Sequence, residues 1–172
     1  MKVIATTECD QDRVDLVSDL TGGSACLGDH FSVNFRKVRK RQGRPNVYLS
    51  GFPCRDWAHS GNKQMTKGST GWMYEAQVDS ILELEPDVAV LEQTDGILEE
   101  PENHTLKRIQ ERLAAKFSVR LFHLRVCEYG DPTNRARVFI IAIHIRHSPT
   151  WKYCTSSFRT RNLMTSSHQQ HG

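Results

Sequence analysis

Three groups whose chemistry goes beyond packing stand directly after apolar runs. Glu8 follows Lys2–Thr7, Cys54 follows the VYLS stretch at 47–50 by a few residues, and Glu92 follows the DVAVL stretch at 87–91. In an open α/β sheet, ligands bind beyond the carboxyl ends of the strands, so these are positions where a site forms. A thiolate attacks an electron-poor carbon and opens a covalent route. A carboxylate at the same end of the sheet can hold or move a proton. Each residue alone is ordinary, since an unpaired cysteine is most often a small buried apolar side chain. Cys54 departs from that because Gly51, Phe52 and Pro53 precede it, which describes a shaped loop rather than a core position.

The elements that must position these groups read as alternating strands and helices. Lys2–Thr7 is expected to be a buried strand, followed by a helix over Asp10–Leu20 that Thr21-Gly22-Gly23-Ser24 ends. A short element surrounds Asp29–Val33, and the basic run Arg36–Arg44 reads as a solvated loop, with nuclear import or a phosphate contact as alternatives. Asn46–Ser50 is a strand, residues 55–71 a polar loop, and Trp72–Leu84 a helix broken by Pro86. Asp87–Leu91 is a buried strand. Asn103–Lys116 is a helix with Asn103 as N-cap, and Val119–Val126 and Arg137–Ile145 are strands joined by a Tyr-Gly-Asp-Pro turn. This alternation predicts an α/β fold with a mostly parallel sheet and an antiparallel hairpin at one edge. Two regions are expected: a domain over 1–145 and a polar tail over 146–172, disordered at its end.

Composition narrows the class. The chain has 172 residues, 25% of them charged, and a net charge of +3, which permits nucleic acid as a partner without requiring it. No run approaches the roughly 20 apolar residues of a membrane helix, and the start is not a secretory signal. Five cysteines with no CxxC fit reduced thiols inside a cell, and no zinc knuckle. His144 and His147 lack a neighbouring ligand cluster, so no metal is expected.

Four ordered segments sharpen this reading. Gly51-Phe52-Pro53-Cys54-Arg55-Asp56-Trp57-Ala58-His59-Ser60-Gly61 resembles the Pro-Cys loop of cytosine-C5 methyltransferases, usually GFPCQxFSxAG. Thr70 to Glu75 is similar to a helix start that usually reads RGxLF. Glu92-Gln93-Thr94 resembles the family's Glu-Asn-Val, and Tyr129 to Arg137 resembles its YGxPQxRxR. Upstream, Glu8 and Asp29 stand where the family places carboxylates on the ribose hydroxyls and near the adenine amino group of S-adenosylmethionine.

The resemblance implies a Rossmann-like sheet and transfer of a methyl group from S-adenosylmethionine to cytosine C5. Cys54 adds to C6 and makes C5 carbanion-like; Glu92 holds the N3 and amino edge; Arg137 meets the base carbonyl; Arg135 supports the loop or base. In duplex DNA the base must first be flipped out. Glu8, Asp29 and Pro53 are the expected cofactor contacts. DNA is the expected substrate, with RNA as the alternative because the motifs describe the base and not the polymer. A eukaryotic source implies the nucleus, a bacterial or phage source the cytoplasm.

The resemblance is incomplete. No FxGxG loop precedes Glu8, nothing after Ile145 resembles a target-reading region, and Arg55, Trp57, Ala58, Thr70, Gln93, Thr94 and Thr133 depart from the usual residues. The sheet is therefore expected to be partial. A split enzyme completed by a second chain, or a non-catalytic fragment that binds nucleic acid or a partner, are the readings from other classes.

Overall fold

The computed structural model describes residues 2–53, 55–56, 67, 72–101, 104–130 and 132–147. Its strands are β1 (Ala5–Thr6), β2 (Ala25–Cys26), β3 (Val47–Gly51), β4 (Val88–Thr94), β5 (Phe117–Arg125) and β6 (Ala136–His144). Its α-helices are α1 (Gln11–Leu20), α2 (Phe35–Gln42), α3 (Met73–Leu84) and α4 (His104–Leu113). The larger sheet has the order β3-β4-β6-β5; β3 and β4 are parallel, while β6 runs antiparallel to both β4 and β5. The expected α/β class and the antiparallel edge hairpin are both present. β1 and β2 form a separate parallel ladder of two strands.

Alternation on β4 decides where the core lies. Ala89, Leu91 and Gln93 are buried, while Val88, Val90 and Glu92 are half-buried, so a period of two separates the faces. The buried face meets Val78 and Ile81 of α3, Ile109 and Leu113 of α4, and Val138, Ile140 and Ala142 of β6. Each fully buried aliphatic side chain there contributes about 1.5–3 kcal/mol relative to exposure. Ionic contacts tie the two helices: Glu75 meets Arg112 and Arg108, and Asp79 meets Arg112. Glu100 Oε2 accepts from the Thr105 N–H at 2.8 Å and satisfies the start of α4.

At the opposite end of the strands from the candidate site, α3 closes on Glu85, which has φ 49° and ψ 58°. Few residues other than glycine hold this left-handed conformation, and Glu85 is held by ions on every side. Its carboxylate meets Arg39, Arg44 and Lys116, and its carbonyl accepts from Arg146. Those cations hold the Glu85 carboxyl down at about 2. Asp87 is likewise lowered to about 2 by hydrogen bonds from Arg146 and Asn46.

Four expectations need correction. The sheet expected to be mostly parallel is not so among the described residues: of the three pairings in the larger sheet only β3–β4 is parallel, because β6 lies between β4 and β5 and runs against both. The strand over Lys2–Thr7 shrinks to Ala5–Thr6 and is half-buried, because among the described residues it has one neighbour, β2, and no second strand to extend its ladder. The helix expected over Asp10–Leu20 forms with Asp10 as N-cap but buries no residue, and Leu16 and Leu20 face solvent. The basic run is not a loop: Asn34 caps α2 by accepting from the Lys37 N–H, and Gly43 ends it at φ 82°. The Asn103 cap, and the tail from residue 148 onward, lie outside the described residues.

Candidate active site

The strand ends converge where the sequence predicts. Glu92 lies on β4 between Gly51 of β3 and Phe139 of β6, and Arg137 enters at the start of β6 opposite Thr94. Arg137 Nε stands 2.7 Å from Glu92 Oε1. The contact is an ion pair without the alignment of a linear hydrogen bond. Arg137 Nη1 donates to the Ala136 carbonyl at 2.7 Å, which fixes the guanidinium plane. The carboxylate remains partly open, with Glu92 39% exposed and Arg137 19%. A polar head open on one side and braced on the other can accept a planar ligand edge.

Gly51 makes room for this carboxylate. A Cβ at position 51 would lie 3.2 Å from Glu92 Oε2 and 3.6 Å from its carbonyl oxygen. The hollow beside it, about 380 Å³, is lined by Leu49, Ser50, Gly51, Val90, Glu92 and Phe139. Its walls are apolar except at the Glu92 end, which suits a flat heteroaromatic ring held at one polar edge.

Sequence reasoning missed the residue that ties the Pro-Cys loop to this strand. Gln93 is 1% exposed, and its Nε2 donates to the Phe52 carbonyl at 3.2 Å. Its Oε1 accepts from the Thr94 N–H at 2.8 Å. The sequence carries a signal for it: Gln93 is a polar residue at an inward position of a strand whose other inward residues are Ala89 and Leu91. Phe52 is buried against Tyr74 and Pro53 is exposed, so the chain leaves the core between these two residues. On the other side Gln77 of α3 accepts from Tyr48 and Ser50, both at 2.5 Å, and fixes the end of β3. Burial pushes the Tyr48 hydroxyl up to about 12, which keeps it a donor. Cys54 lies outside the described residues. Arg135 is exposed in the loop before β6, its carbonyl accepting from the Val126 N–H at 3.0 Å. Among the described residues no ion pair joins it to Glu92.

Glu8 and Asp29 follow the ends of β1 and β2, where the Glu8 N–H donates to the Gly28 carbonyl at 3.1 Å. Glu8 Oε1 accepts from the Cys9 and Asp10 N–H groups at 2.9 and 3.0 Å. Asp29 Oδ1 accepts from the Phe31 N–H at 3.2 Å. Each carboxylate thus caps its own turn with one oxygen, and its second oxygen takes no bond among the described residues. His30 docks this region on α3: its Nε2 lies 2.8 Å from Ser80 Oγ, its Nδ1 3.3 Å from Thr7 Oγ1.

A strand-end glutamate thus pairs with an arginine from the adjacent antiparallel strand, next to the Gly51-Phe52-Pro53 segment. The family of C-5 cytosine-specific DNA methylases matches residues 1–170. The chain belongs to that family.

Among its relatives, the type II methyltransferase M.BbvI of Brevibacillus brevis is 27% identical over 139 residues, 78% of this chain and 37% of the relative. M.BsuRI of Bacillus subtilis is 28% identical over 109 residues, 63% and 25% of the two chains. The fold is similar to Spodoptera frugiperda DNMT2, solved as a mutant, with TM-score 0.65, 13% identity, and 90% and 46% coverage. It is also similar to S. pombe Dnmt2 methyltransferase, with TM-score 0.62, 10% identity, and 83% and 43% coverage. The chain therefore spans about a quarter to a third of the curated relatives quoted. Methylases of this family use S-adenosylmethionine as methyl donor. The free oxygens of Glu8 and Asp29 fit that group's demands, since ribose hydroxyls and an adenine amino group are hydrogen-bond donors. No helix among the described residues is long and apolar enough to cross a membrane.

Proposed function

We propose that this DNA methylase chain carries the base-handling half of cytosine-C5 methyl transfer to DNA. The observation that supports it most directly is the Glu92–Arg137 pair, held open beside Gly51 and anchored through Gln93 to the loop that leads to Cys54. In this reading an extruded cytosine docks against the open side of the Glu92–Arg137 pair. Glu92 takes the N3 and amino edge, Arg137 takes the carbonyl oxygen, and the charge that develops on the ring meets groups already oriented. The Cys54 thiolate adds to C6, which makes C5 nucleophilic; after methylation the C5 proton leaves to solvent and the thiolate departs. Arg135, exposed at the rim, supplies positive charge to the loop. Glu8 and Asp29 hold S-adenosylmethionine through its hydroxyl and amino donors, Pro53 borders it, and the bound group supplies the methyl.

Among the described residues β1 and β3 each have a single neighbour in their ladders. A free edge accepts a further strand, so a complementary segment or chain is part of the proposal. The decisive experiment measures methyl incorporation into DNA by the protein and by Cys54→Ser and Glu92→Gln. Cys54→Ser is expected to reduce transfer to background, and Glu92→Gln to slow it about 10²–10³-fold. Transfer surviving in Cys54→Ser would remove the nucleophile assignment.

A further inference from the structure

The basic run that forms α2 is not used by the site. Between residues 36 and 44 stand Arg36, Lys37, Arg39, Lys40, Arg41 and Arg44, with no acidic residue among them. These six cations exceed the net charge of the whole chain, +3. Half of them are committed to the fold. Arg36 meets Glu83 at 3.2 Å, and Arg39 and Arg44 meet Glu85 at 2.9 and 3.3 Å. Lys37, Lys40 and Arg41 are exposed, and their side-chain cations have no ionic or hydrogen-bond partner among the described residues.

Their placement is directional. Positions 37, 40 and 41 are separated by three and four residues, so they share one helical face and span about 6 Å along the axis. That span covers about two phosphate steps of roughly 3.4 Å each along one strand of a duplex. The carboxylates near them are already met: Glu83 and Glu85 by the arginines, and Asp87 by Arg146 and His147. The patch lies toward the Glu85 end of α3, beyond the amino end of β4. Glu92 and Arg137 lie toward the other end of that strand, whose seven residues span about 20 Å.

We infer that the exposed face of α2, through Lys37, Lys40 and Arg41, binds the phosphate backbone of nucleic acid without reading its sequence, as an anchor separate from the base-handling site. Charge complementarity selects the occupant: three unpaired cations in a row on a rigid helix, with no apolar side chain on that face, fit a polyanion of regular spacing. Val38 and Phe35 turn inward instead, half-buried and buried. The inference rests on the proposed function only in taking nucleic acid as the polyanion this protein meets.

The test uses a short fluorescent duplex built only of dA and dT, which contains no cytosine, so its binding does not depend on the methylation reading. Anisotropy titrations over a range of salt compare the full chain, a Lys37→Gln/Lys40→Gln/Arg41→Gln variant, and a Lys2→Gln/Lys107→Gln/Arg120→Gln variant with the same change in net charge. The three α2 side chains hold no other element, so the first variant is expected to keep the parent melting temperature. It is expected to bind at least tenfold more weakly, with the slope of log K against log salt smaller by about 3. The control variant is expected to keep most of the parent slope. Equal losses in both variants would overturn the anchor and leave a net-charge effect; an unchanged slope in the α2 variant would overturn it outright. Displacement of the duplex by polyglutamate as readily as by unlabelled duplex would also overturn it, in favour of an acidic polypeptide partner.

Discussion

Residues 73–144 and residues 2–34 are built from the same alternation of strand and helix, yet they differ in what lies beneath them. In the first region Val78, Ile81, Ile109, Leu113 and Val138 are all fully buried, and its three strands, β4, β6 and β5, lie side by side in one sheet. In the second no described side chain is buried, the two strands have two residues each, and Leu16 and Leu20 of α1 stand in solvent. The region with the core carries the Glu92–Arg137 pair, and the region without one carries Glu8 and Asp29. The groups proposed to handle the base thus rest on packing, while the carboxylates proposed to hold the cofactor rest on local caps and on the docking of His30. Groups that must meet a rigid ring within a fraction of an ångström need the first kind of support. Groups that meet hydroxyl and amino donors tolerate the second.

The widest gap between the regions is expected in core truncations. Ile81→Ala should lower unfolding stability by about 2–5 kcal/mol, whereas Leu16→Ala in α1 should change it by less than about 0.5 kcal/mol. Urea denaturation measures both, and a large loss from Leu16→Ala would show a core beneath α1 after all. Acid should act next, and chiefly on the region with the core. Glu85 and Asp87 fall from 4.5 and 3.8 to about 2 in the folded chain. A lowered carboxylate stabilises the fold above its unfolded value, and that contribution disappears as pH falls through the folded one. Stability should therefore decline between about pH 5 and pH 2, and Glu85→Gln should flatten that decline in acid melts by about 2 kcal/mol. A decline of the same depth in Glu85→Gln would place the acid-sensitive groups elsewhere.

The smallest effect should appear at the joint between the regions. Burial pushes the His30 imidazole down from 6.5. A depressed histidine favours the docked state above its unfolded value and opposes it as pH falls. Hydrogen exchange of residues 2–33 should accordingly quicken below about pH 6.5, with residues 73–144 unchanged. His30→Leu should remove the pH dependence. Loss of protection in both regions together would mean they open as one unit.

This contrast also governs what was legible in the sequence. Strands and helices with buried partners announced themselves: Val78 and Ile81 on α3 and Leu106 and Ile109 on α4 follow from the helical period, and β4 and β6 from their apolar runs. The hairpin followed from a short turn. α2 was misread because its charge concealed the Asn34 and Gly43 caps that define it, and β2 because two residues carry no period. At the site, Glu92 and Arg137 were legible as motif residues. Gln93 was not, because its role depends on facing inward beneath Phe52, a relation between two strands that no single stretch of sequence displays.

The position of Arg137 in the chain has a consequence for biosynthesis. It follows Glu92 by 45 residues, across α4 and the whole of β5. At about 5–20 residues per second, a nascent chain would carry Glu92 for roughly two to nine seconds before its arginine is made. Through that interval β4 can pair only with β3, its second edge is bare, and the growing polypeptide offers a template to any extended segment nearby. Synthesis speed over 93–137 thus sets how long the nascent chain is exposed to misassociation, and slowing translation there should lower soluble yield without altering the finished protein.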